Sequence, residues 1–149
     1  MRSHLAPIII ALAVVGMLAR SPVYATPKDE IRGTFSRFVI AQNAHNLKGV
    51  GKLLSDSPAF LWISPGRVVR DRNSALDRFR ELFQSAWRVD PDWSTFQVLR
   101  LDVSTVEIFT RVSTSNGAPA RMAQMNLILV NSAHGWRVLN ILVSELPPT

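Results

Sequence analysis

Ser64, His45 and His134 are the side chains on which nucleophilic or acid–base chemistry would rest in this sequence. A serine hydroxyl attacks only when a neighbouring base takes its proton. Ser64-Pro65-Gly66 lacks the strand–elbow–helix pattern of serine hydrolases, so a plain turn hydroxyl is the simpler reading. His45 is the candidate for acid–base work. It follows Phe38 and Gln42 at helical spacing, which would aim it at the open end of an interior pocket, although an exposed helix-end histidine fits the same spacing. His134, between Ala133 and Gly135, reads as a surface turn residue. His4 lies in the leader described below, and no HxxE or HxxxH spacing exists, so no metal set is expected. No Gly-rich phosphate loop is present, and nothing in the sequence calls for a cofactor.

Binding is better represented than catalysis. Trp62, Phe79, Phe83 and Trp87 are large aromatics that form either core or a ligand wall. Arg111, Gln124, Asn126 and Asn140 interrupt otherwise apolar strands, where a buried polar group needs a partner. On a concave sheet face they would orient a ligand; on the other face they would mark an interface or the surface. The expected ligand-binding set is therefore Trp62, Ser64, Phe79, Phe83, Trp87, Arg111, Asn126 and Asn140, around a small hydrophobic molecule.

These groups need elements to hold them. Pro27-Lys28-Asp29-Glu30 opens a helix whose apolar face runs Ile31, Phe35, Phe38, Val39, Gln42 and His45. Val50 to Leu54 is a short helical piece, stopped by Ser55-Asp56-Ser57-Pro58. Ala59 to Ile63 reads as a buried strand, Pro65-Gly66 as a turn, and Val68-Val69-Arg70 as a second short strand. Asp71 or Asn73 caps a helix with a buried stripe of Leu76, Phe79, Phe83, Ala86 and Trp87, ended by Arg88-Val89-Asp90-Pro91. From there the period changes. Phe96 to Val103, Thr105 to Ser113, Arg121 to Val130 and Trp136 to Ser144 read as strands. Asn116-Gly117 signals a hairpin, lengthened by Pro119, and Ala133-His134-Gly135 makes the next turn. The class is α+β, with helices on one face of a sheet.

The first 25 residues read as an export signal: Arg2 and His4, an uncharged run from Leu5 to Ala19, then Val23-Tyr24-Ala25 as a cleavage site. The run falls short of the roughly 20 residues that span a bilayer. Residues 26–149 then form one exported domain, periplasmic or secreted, with no membrane attachment once the signal is cleaved. The chain has no cysteine, so neither a lipid anchor on cysteine nor a disulfide supports it. Without Arg2 and Arg20, the basic residues exceed the 11 acidic ones only modestly, and the two signs are interspersed from Arg67 to Asp90. That pattern and export argue against nucleic acid as a partner.

The order of elements, with Phe60-Leu61-Trp62-Ile63-Ser64-Pro65-Gly66 early and Gly135-Trp136-Arg137-Val138 opening the last strand, resembles the nuclear transport factor 2-like superfamily, in particular its SnoaL-like branch. The resemblance covers Asp29 to Glu145. It implies a cone-shaped, curved antiparallel sheet wrapped around the N-terminal helices, a pocket between them, and dimerisation through the outer sheet face. Trp136, Val138 and Leu142 on one face of the last strand, with Leu139, Ile141 and Val143 on the other, suit a homodimer, because both faces are apolar. The superfamily's ketosteroid isomerases carry a carboxylate base just before a proline at the end of an early strand; the matching residue is Ser64. Those enzymes also use a tyrosine as an oxyanion donor, and the only tyrosine, Tyr24, lies in the leader. The resemblance thus implies a non-catalytic binding or accessory domain, the alternative being a lyase, isomerase or hydratase of a small hydrophobic carbonyl compound working through His45 and the polar groups of the sheet.

Overall fold

Pro27 has no N–H to leave unpaired in a first helical turn, and Asp29 and Glu30 sit where the helix dipole favours acids. The computed structural model describes residues 27–147, so the expected leader, its cleavage point and Tyr24 lie outside the described residues. Helix α1 (Pro27–Asn43) buries Ile31, Phe35, Phe38, Val39 and Gln42 on one face. It stops before His45, contrary to the expected stripe. His45 takes φ 50; its N–H bonds the Gln42 carbonyl at 3.0 Å, and the Asn46 N–H reaches the Ala41 carbonyl at 2.9 Å. This is a left-handed C-terminal cap, a position glycine usually fills, and it swings His45 off the helical face. Asn46 Oδ1 then accepts from the Gly49 N–H at 2.8 Å and starts α2 (Leu47–Leu53).

Strands β1 (Leu61–Ser64) and β2 (Arg67–Val69) meet at Pro65-Gly66, where Gly66 takes φ 73, as the turn signal predicts. Asp71 caps α3 (Arg72–Leu82) by accepting from the Ser74 N–H at 2.8 Å. The helix does not reach Trp87. Gln84 and Ser85 bond back three residues rather than four, and the Ser85 hydroxyl donates to the Leu82 carbonyl at 2.7 Å. These tight bonds unwind the chain, Ala86 is exposed, and Trp87 opens β3 (Trp87–Pro91), a strand the helical period concealed. The expected long strand from Phe96 contracts to β4 (Gln97–Arg100). Asp102 ends that stretch by accepting from the Ser104 N–H and hydroxyl.

β5 (Thr105–Asn116), β6 (Arg121–Ser132) and β7 (Gly135–Glu145) are the long central strands. The open sheet runs β2-β1-β7-β6-β5-β3, and β4 also pairs with β5. It is mixed rather than wholly antiparallel, because β1 runs parallel to β7. The α+β class stands. Cross-strand register aligns Val69, Trp62, Ile141, Leu127, Ile108 and Val98 in one row facing the helices. One residue away, Val68, Ile63, Leu142, Asn126, Phe109 and Gln97 form a row on the outer face.

The faces of β7 differ from simple alternation. Ile128 pairs with Asn140 and Leu129 with Val138, so Leu139 is an extra residue in a bulge. Parity changes there. Val138, Ile141 and Val143 share the inner face, and Leu142 faces outward with Asn140.

Candidate functional site

A cavity of about 260 Å³ lies between α1, α3 and the inner sheet face. An apolar cavity of about 150 Å³ has room for a benzene ring, and this one is larger. Phe38, Trp62, Phe79, Leu82 and Trp87 form its apolar wall with Met125, Ile141 and Val143. Phe79 organises the floor. Its ring lies 4.8 Å from that of Trp62 and meets Phe38 edge-on at 6.0 Å, the offset and edge-to-face arrangements that aromatic quadrupoles favour.

The wall depends on how the end of α1 grips β3, a seam that sequence reasoning missed. Asn43 Nδ2 donates to the Val89 carbonyl and Asn43 Oδ1 accepts from the Val89 N–H, both at 2.8 Å. One side-chain amide thereby acts as an extra strand on the free edge of β3. Beside it, Trp87 Nε1 donates to Gln42 Oε1 at 3.3 Å, which holds the indole against the cavity. The one available signal was Gln42, a polar side chain on an apolar helical stripe.

His45 belongs to the same seam. Its Nε2 lies 2.9 Å from the Trp87 carbonyl, which only accepts, so Nε2 carries the proton. The ring stacks on Phe83 at 5.0 Å, is exposed, and is not among the residues lining the cavity. Phe83, the C-cap of α3, is half-buried and also stands outside the lining.

Of the expected ligand-binding residues, Trp62, Ser64, Phe79 and Trp87 come together around the cavity. Arg111, Asn126 and Asn140 do not. All three alternate onto the outer face, where Arg111 is exposed and Asn126 donates to Glu107 Oε1 at 2.9 Å. Gln124, also outward, donates to the Thr110 carbonyl at 2.9 Å. Period-two alternation decides this, and the bulge at Leu139 sets it for Asn140. His134 is exposed in the β6–β7 turn. No group of three or more His, Cys, Asp or Glu among the described residues could hold a metal ion.

The cavity mouth carries charges that the sequence did not single out: Arg78, Arg121 and Glu145. Each is paired. Arg121 meets Glu145 at 3.1 Å and Arg78 meets Glu81 at 3.1 Å, with Arg67 on Glu81 at 2.9 Å. Hydrogen bonds from Arg67 and then Arg78 hold the Glu81 carboxyl below its ordinary range. Glu145 is the one carboxylate among the lining residues, and Ser64 offers only a hydroxyl. Two buried side-chain polar atoms lack a hydrogen-bond partner among the described residues, Trp62 Nε1 and Asn140 Oδ1. Only the first belongs to a residue that lines the cavity.

Solved structures share this fold. A protein of unknown function from Shewanella oneidensis, described as NTF-2 like, superposes with a TM-score of 0.69 at 14% identity, over 80% of this chain and 99% of that one. The fold is NTF2-like. A proposed dehydratase of the NTF2-like family from Streptomyces avermitilis matches with a TM-score of 0.70 at 12% identity, over 83% and 100% of the two chains. A proposed aromatic ring hydroxylase from Novosphingobium aromaticivorans matches with a TM-score of 0.69 at 12% identity, over 84% and 94%. No family model matches the chain, and no curated protein does either. At such identities the likeness is one of NTF2-like architecture, and any function must come from the residues of this chain.

Proposed function

We propose that this NTF2-like chain, of the SnoaL-like kind, is an exported small-molecule-binding or accessory domain that holds an apolar ligand without transforming it. The supporting observation is the aromatic-walled cavity, with Gln42, Ser64, Thr114, Ser115 and Asn116 as its neutral polar lining and its charges paired. Apolar walls with a few fixed polar groups are the usual form of small-molecule sites. Mass spectrometry of molecules released from the purified protein tests this. A small apolar compound should be recovered, and it should quench tryptophan fluorescence on rebinding, less so in Trp87→Ala. Recovery of nothing, with no quenching by naphthalene, overturns it.

Export rests on the leader pattern ending at Val23-Tyr24-Ala25. N-terminal sequencing of secreted material should begin at Thr26, and a retained Met1 in a membrane fraction refutes cleavage. Homodimerisation is supported by the outer row, in which Ile63, Leu142 and Phe109 are partly exposed beside Val68. The enzymatic alternative, a lyase, isomerase or hydratase of a small hydrophobic carbonyl compound, draws on Glu145 at the cavity. Turnover that Glu145→Gln abolishes would establish it.

A further inference from the structure

The sheet has a second opening, at the end where α1 begins rather than where it stops. A cavity of about 450 Å³ lies between the first turn of α1, β4 and the ends of β6 and β7. Its apolar lining is mostly aliphatic where the other is aromatic. Ile31 and Val106 are buried beneath it, Val98 and Trp136 are half-buried, and Val103 stands exposed at the rim. Val98 pairs with Ile108 and Arg100 with Val106, so both side chains stand on the helix-facing side of β4. The two cavities share no lining residue.

The rim is held in place and its cations are left over. The Asn131 N–H donates to the Ser104 carbonyl at 2.7 Å, which ties the β4–β5 turn to β6. Asp102 Oδ1 accepts from the Ser104 N–H at 2.6 Å and from its hydroxyl at 3.0 Å, so this carboxylate is engaged with Ser104 rather than with Arg100. Arg100 Nε donates to the Asp102 carbonyl at 3.0 Å, which fixes the guanidinium and leaves its two terminal nitrogens without a partner among the described residues. Lys28, on the same lining, forms no ion pair among the described residues. In the aromatic cavity Arg78 and Arg121 each meet a carboxylate. Here two cations face one acid, Glu30, an imbalance that attracts a single negative charge at the edge of an aliphatic floor.

We propose that this second cavity binds a free aliphatic carboxylate, with its chain on Ile31, Val98, Val106 and Trp136 and its head between Arg100 and Lys28. The site is independent of the aromatic cavity and of the ligand held there.

Octanoate, 1-octanol and butyrate test it on the exported protein beginning at Thr26. In calorimetry at low salt, octanoate should bind about fivefold tighter than 1-octanol, the effect of two exposed charge contacts. It should bind about tenfold tighter than butyrate, because a longer chain is buried. Arg100→Gln, an exchange at an exposed residue, should erase most of the preference over 1-octanol, and Glu30→Gln should enlarge it. 8-Bromooctanoate, whose bromine quenches nearby indoles, should quench Trp136, so quenching should fall in Trp136→Phe and persist in Trp87→Phe. Equal binding of octanoate and 1-octanol, or a preference untouched by Arg100→Gln, overturns the anionic head. Equal binding of octanoate and butyrate overturns the aliphatic floor and leaves a surface ion contact only. Quenching that persists in Trp136→Phe and falls in Trp87→Phe puts the acid in the aromatic cavity, which overturns the second site and supports the first. No binding of octanoate at millimolar concentration overturns the proposal and leaves the function of the aromatic cavity standing. Should Trp136→Phe fail to fold, the preference for octanoate and its loss in Arg100→Gln decide.

Discussion

The inner row Val69, Trp62, Ile141, Leu127, Ile108, Val98 and the outer row Val68, Ile63, Leu142, Asn126, Phe109, Gln97 cross the same six strands one residue apart. Their compositions are not far apart, yet their surroundings are. Leu127 and Ile108 are wholly inaccessible, while Leu142 is 43% and Phe109 37% exposed. Hydrophobicity alone therefore does not separate core from surface in this sheet. What separates them is which face the helices cover. The inner face closes over α1 and α3, with the aromatic cavity at the end where Phe79 and Trp87 stand; the outer face meets no other element among the described residues.

That contrast sets the size of each expected effect. Leu127→Ala deletes a fully packed side chain from the inner row and should destabilise by about 2–5 kcal/mol, measured by denaturant unfolding. A loss below about 1 kcal/mol would mean that the inner row is not the core. The polar seam comes next. Asn43→Ala strips partners from the Val89 N–H and carbonyl, at a residue with no exposure, and should cost about 1–3 kcal/mol. Amide exchange at Val89 should accelerate with it; unchanged exchange would show that the clamp does not hold β3. Leu142→Asp, on the outer row, should change the monomer's stability least, within about 0.5 kcal/mol. Its effect should fall on association. Wild-type Tm should rise with protein concentration, as mass action requires of a dimer, and the variant should lose that dependence. A wild-type Tm independent of concentration removes the outer row as a dimer interface.

Much of the fold was legible in residue order. The α1 stripe from Ile31 to Gln42, the Pro65-Gly66 turn, the Asp71 cap and the strand periods after Trp93 are local signals, set by sterics and hydrogen bonds within a few residues. Three features were not local. Trp87 continued a helical period but joined a strand: bonds reaching back three residues at Gln84 and Ser85 end α3, and Trp87 then pairs with Asn116 on β5. Leu139 left no mark of a bulge in sequence, since the extra residue exists only relative to β6, and it decided which way Asn140 and Leu142 face. His45 lay on the apolar stripe by spacing, but a left-handed cap turned it onto the Trp87 carbonyl.

The candidate site divides the same way. Sequence alone determined that Trp62, Ser64 and Phe79 sit near one another in chain order and that no carboxylate stands at Ser64. Tertiary structure decided that Trp87, Arg121 and Glu145 join them, and that Arg111, Asn126 and Asn140 stay on the far face. The physical reason is the sheet's period of two. Each strand offers both faces equally to sequence reading, and only packing against the helices chooses between them.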